Sequence, residues 1–75
     1  MTKESKKELE KIKALLEESM DMIEDIKQEE QEGLEGLNIE SYEGEIGQKM
    51  AKSIALLDEA FDYLDNTISC IYRTV

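Results

Sequence analysis

Apolar residues recur along this chain at helical intervals. In the first half Leu9, Ile12, Leu16, Ser19, Ile23 and Ile26 alternate steps of three and four, which places them on one helix face. Leu15 and Met22 widen that stripe on one side and Met20 on the other. Ser5 stands three residues before Glu8, just ahead of the apolar run, a capping-box spacing. Thr2 is a rival cap. In the second half Met50, Ile54, Leu57, Phe61, Leu64, Ile68 and Ile71 run in steps of 4, 3, 4, 3, 4, 3 with no Gly or Pro from Gln48 to Val75. At a rise of about 1.5 Å per residue such a helix reaches roughly 40 Å. The pattern therefore predicts an all-α, antiparallel helical hairpin in a single domain spanning 1–75: a helix over 6–31, a structured connector over 32–47, and a helix over 48–73.

The connector is the irregular segment. All four glycines, Gly33, Gly36, Gly44 and Gly47, fall within it, and each costs a helix about 1 kcal/mol relative to Ala. They are expected to end the first helix and delay the second. Yet Leu34, Leu37, Ile39, Tyr42 and Ile46 also lie there, and an idle linker would not carry them. The expectation is a packed loop capping the open end of the hairpin.

Helix two holds more apolar surface than one neighbour can cover. Leu56, Ala60, Tyr63, Thr67 and Cys70 form a second stripe beside the first, so the apolar arc spans roughly 160°. The simplest completion is a second copy, giving a homodimeric four-helix bundle docked through this stripe. A domain of this size has a marginal core even when complete.

Charge changes the picture more than length does. The 75 residues hold 19 acids against nine Lys/Arg, a formal net charge of -10. Residues 1–16 are net +2, residues 17–45 net -11 and residues 46–75 net -1. Such a balance argues against direct nucleic-acid binding through phosphate neutralisation. It suits electrostatic complementarity to a basic partner protein. The candidate contact residues are Glu29, Glu30, Glu32, Glu35, Glu40, Glu43 and Glu45, at the connector end. An alternative is mimicry of a nucleic-acid backbone, with Glu17, Asp21, Glu24 and Asp25 as one row and Asp58, Asp62 and Asp65 as another. A further alternative is a structural subunit that docks in a larger assembly through the second helix.

Catalytic chemistry is not expected. There is no His, so the commonest general base and metal ligand is missing. The serines have no partner base and no Ser-x-x-Lys arrangement, and the glycines match neither G-x-G-x-x-G nor a Walker A loop. One Cys excludes an internal disulfide framework and a Cys-based zinc site, and suits a reducing cytoplasm. No cofactor and no metal are expected. Asn38, Glu40, Glu43 and Glu45 do not match the spacing of a calcium loop. A membrane partner is not expected either: no apolar run approaches a spanning length, the basic N-terminus has no apolar run behind it, and the helices' polar faces are acidic.

The stretch Glu32-Gly33-Leu34-Glu35-Gly36-Leu37-Asn38, followed by Glu45-Ile46-Gly47-Gln48-Lys49-Met50, resembles a group of small acidic proteins from phages and prophages of Gram-positive bacteria. That group carries a Gly-Leu-x-x-Leu-Pro segment, a Ser-Glu-Arg-Gly-Glu-x-Met segment and then Ile-x-x-Leu-x-x-Ala units, which Ile54, Leu57 and Ala60 match. The chain departs from it at Asn38, where the group has Pro, and at Ile46, where it has Arg. The resemblance implies a helical hairpin of mobile-element origin, acting in the bacterial host's cytoplasm as a non-enzymatic accessory or inhibitory factor on a host or defence protein. It supplies no catalytic residues.

Overall fold

In a computed structural model, which describes residues 1–74, the chain is all-α. Helix α1 spans Lys3–Glu35, α2 spans Ile39–Glu43 and α3 spans Glu45–Thr74. Thr2 caps α1, its hydroxyl oxygen accepting the Ser5 N–H at 3.0 Å. The rival cap therefore prevails over the Ser5–Glu8 box, and three more residues join the helix. Asn38 caps α2 in the same way, its Oδ1 accepting the Ser41 N–H at 2.8 Å.

α1 and α3 lie side by side and antiparallel. Lys27 faces Asp58 and Lys13 faces Tyr72, and in both pairs the residue numbers add to 85. The α3 stripe packs as the spacing predicts: Met50, Ile54, Leu57, Phe61, Leu64 and Ile71 are half-buried and Ile68 is buried. The α1 stripe packs in part: Leu9, Leu16, Ser19 and Ile23 are half-buried as the spacing predicts, but its other two members turn outward. The residues turned inward are Leu9, Lys13, Leu16, Met20, Ile23, Lys27 and Leu34, whereas Ile12 and Ile26 are 44 % and 48 % exposed. The helix has rotated by about half the angle between successive residues. One neighbour covers only part of a wide stripe, and the two lysines can lie along the seam because their stems are apolar and their ammonium groups find partners. Lys13 Nζ sits 4.0 Å from the centre of the Tyr72 ring, and Lys27 Nζ donates to Asp58 Oδ1 at 2.7 Å.

Both long helices enter the glycine window further than expected. Gly33 lies inside α1 and Gly47 inside α3. None of the four glycines has a positive φ, so none is used for a left-handed turn. α1 ends after the last helical bond, Gly36 N–H to Glu32 O, in a tightened turn where Leu37 N–H bonds Leu34 O, and the Asn38 cap then starts α2. Gly47 is required for a different reason. A Cβ there would collide with the Tyr42 carbonyl, so only glycine lets the α2 backbone rest on α3. The expected packed connector holds only in part: Leu34 is buried and Leu37 half-buried, whereas Ile39, Tyr42 and Ile46 are exposed, because α2 rests on α3 through its backbone and turns these side chains outward.

The molecule is a rod of 58 × 15 × 12 Å with a radius of gyration of 17.2 Å. A compact chain of this length would have about 11 Å. Its accessible surface is 5778 Å², against roughly 4,700 Å² for a compact protein of the same mass. Among the described residues only Leu34 and Ile68, each 7 % exposed, form a buried apolar core.

Candidate functional site

The antiparallel register sorts the remaining side chains onto two opposite sides of the rod. On one side Glu17, Met20 and Asp21 of α1 and Asp65, Ile68 and Tyr72 of α3 line an open groove. Glu24 and Asp58 continue this side, joined by Lys27, which lies 3.5 Å from Glu24 Oε1 and 2.7 Å from Asp58 Oδ1. The hydrogen bond to Asp58 holds the Lys27 ammonium's pKa above its ordinary 10.5. The two acidic rows that the sequence shows separately are thus brought onto one side, with Asp25 alone pointing away around α1.

The other side is apolar in its middle; toward the ends the same faces carry Glu4, Glu8 and Glu30 of α1 and Lys49 and Lys52 of α3. Going round α1 away from the groove leads to Ile12, Leu15, Met22 and Ile26, all exposed. Because α3 runs in the opposite sense, its matching flank carries Leu56, Ala60, Tyr63, Thr67 and Cys70. Leu56 is 55 % and Tyr63 64 % exposed; Thr67 and Cys70 are exposed and Ala60 is half-buried. Level positions place Met22 beside Tyr63 and Leu15 beside Cys70. The sequence identifies the α3 half of this surface. It assigns Ile12 and Ile26 to the hairpin seam, and so misses that α1 completes the surface. The available signal was the width of the α1 stripe, which exceeds what one neighbour covers.

The connector acids are dispersed rather than gathered. Glu29, Glu32 and Glu35 are exposed on the last turns of α1, Glu40 and Glu43 on α2, and Glu45 on the first turn of α3. Glu30 is half-buried along the seam. Glu45 pairs with Lys49 at 3.2 Å, and Glu32 and Glu35 accept side-chain amide bonds from Gln28 and Gln31. They share one end of the rod without converging on a point. Among the described residues no group of three or more His, Cys, Asp or Glu side chains is placed to hold a metal ion, and no helix is long and apolar enough to cross a membrane.

No protein-family model, no curated protein and no solved structure matches this chain.

Proposed function

We propose that the protein is a non-enzymatic protein–protein interaction module that pairs with a second copy through its apolar side and offers its acidic surface to a basic partner protein. The observation that carries this reading is the division of the rod into one apolar and one acidic side. A monomer has no use for Leu15, Met22, Leu56 and Tyr63 together in water, since apolar patches of this kind mark contact sites. The carboxylates raise the encounter rate with a cationic surface and select against acidic ones. The role is that of a phage-type accessory or inhibitory factor directed at a host or defence protein, in the bacterial cytoplasm, as the connector resemblance implies.

The test changes Glu29, Glu30, Glu32 and Glu35 to Gln together and uses wild type and variant as baits in host extract. A partner retained by the wild type, released by raised salt and lost by the variant is the expected result. Equal retention by both baits sinks the electrostatic contact at the connector end. A second reading, mimicry of a nucleic-acid backbone, is favoured by the joining of Glu17, Asp21, Glu24, Asp58, Asp62 and Asp65 on one side. It requires that the protein compete with duplex DNA for the same partner, and simultaneous binding of both rules it out.

A further inference from the structure

From a repeat along the acidic side we infer that the groove at Met20 is a docking site for a lysine side chain of a basic partner protein, its ammonium held between Glu17 and Asp65. This rests on the reading that the acidic side receives such a partner. Lys13, Met20 and Lys27 stand seven residues apart on α1, and Glu10, Glu17 and Glu24 each precede one of them by three. Tyr72, Asp65 and Asp58 stand seven apart on α3 and, in the observed register, level with 13, 20 and 27. A seven-residue step returns to nearly the same face of a packed helix, so this side of the seam has three like rungs.

The outer rungs each hold a cation. Lys27 Nζ lies 3.5 Å from Glu24 Oε1 and 2.7 Å from Asp58 Oδ1, and Lys13 Nζ lies 3.3 Å from Glu10 Oε2 and 4.0 Å from the centre of the Tyr72 ring. The middle rung carries Met20 instead. Its carboxylates, Glu17 and Asp65, correspond to Glu24 and Asp58, yet among the described residues neither they nor Asp21 is paired with a Lys or Arg. Glu17 and Asp21 are also a like-charged pair four residues apart, which disfavours the helix unless a cation lies near them.

The floor of the groove selects the kind of cation. Met20, half-buried, and Ile68, buried, line it between the carboxylates of the two helices, with Tyr72 alongside. An apolar floor suits the methylene stem of a lysine, as the seam already does for Lys13 and Lys27. It offers a metal ion no oxygen ligand. An arginine gains most from a bidentate bond to one carboxylate. Glu17 and Asp65 instead belong to different helices, as Glu24 and Asp58 do around the Lys27 ammonium.

The experiment titrates the protein with tetralysine amide at low salt and follows the side-chain carboxyl carbons by nuclear magnetic resonance. The Glu17, Asp21 and Asp65 signals should reach half-saturation at a peptide concentration about threefold or more below that for Glu29, Glu32 and Glu35 at the connector end. Met20→Lys supplies the ammonium from the chain itself and should abolish this preference. Glu18→Gln makes an equal change of net charge on the far face of α1 and should preserve it. Equal half-saturation of both sets in the wild type, or a preference that survives Met20→Lys, overturns the groove as the site and leaves the general attraction for basic partners intact. No carboxyl response at all removes the acidic-side reading as well. Should Met20→Lys lose helical content by circular dichroism, Glu17→Gln combined with Asp65→Asn makes the same test on the Asp21 signal. Asp21 should then respond no earlier than the connector acids, and a preference kept there overturns the site equally.

Discussion

Gly47 and Lys27 show how much a single residue decides in so thin a rod. Gly47 sits where two backbones touch, and a methyl group would collide with the Tyr42 carbonyl, which cannot swing away as a side chain end can. Gly47→Ala should therefore destabilise by about 1–3 kcal/mol despite its gain in helix propensity, read from urea unfolding. Gly33→Ala is the control, because its Cβ meets only the Met50 methyl, the end of a flexible side chain. It should be neutral or stabilising by up to about 1 kcal/mol. Lys27 bonds to Asp58, which raises its pKa above 10.5. A raised lysine pKa adds stability below the ordinary value and loses it as pH rises through the raised one. The stability difference between wild type and Lys27→Met should thus hold steady from neutral pH to about 10 and shrink above it. Met keeps the packing of the stem, so the comparison isolates the charge. A pH-independent difference would show that the ion pair contributes nothing.

Element by element, the connector departs furthest from the reading of its composition. Four glycines within a short window argue for a non-helical connector over 32–47, yet two of them end up inside the long helices and the rest flank a five-residue helix. The intrinsic cost of glycine in a helix is about 1 kcal/mol, and burial of Leu34 together with continued packing of α1 on α3 outweighs it. The Asn38 cap restarts the chain after Gly36. Asn38→Ala should cost about 1 kcal/mol and loosen α2 selectively, so that hydrogen exchange at Ser41 and Tyr42 accelerates before the long helices respond. Uniform protection across the variant would mean that α2 is held by the Gly47 contact alone. The α3 stripe was legible because three unbroken heptads admit one interpretation. The α1 stripe was legible only in outline, since its arc is wide enough for two neighbouring seams and nothing local selects between them.

At the scale of the whole molecule, a 58 Å rod with two buried apolar residues among those described stands or falls on what covers its flank. Tyr63→Glu puts a charge into the proposed seam twice, once from each copy. It should weaken self-association at least tenfold, about 1.4 kcal/mol or more, measured by sedimentation across a dilution series. Ser69→Glu, on the acidic side, should leave the association constant unchanged. A Tyr63→Glu protein that still pairs as the wild type does would exclude this flank as the contact surface. If the assembly that dissolves contains other chains, the structural-subunit interpretation of the second helix gains instead.

The helical class, the two long elements and the stripe of α3 follow from local rules: 3.6-residue periodicity, capping residues, and the absence of Gly or Pro after Gln48. The acidic excess and its concentration after residue 16 are likewise properties of the chain in any conformation. The rotation of α1, the burial of Gly47 against Tyr42 and the joining of Glu17, Asp21 and Glu24 with Asp58, Asp62 and Asp65 are not local. Each depends on which residue of α3 stands level with which residue of α1. That register is set by the contact between the helices, where Lys27 meets Asp58 and Lys13 meets Tyr72, and it is this pairing that turns two amphipathic helices into a rod with one apolar and one acidic side.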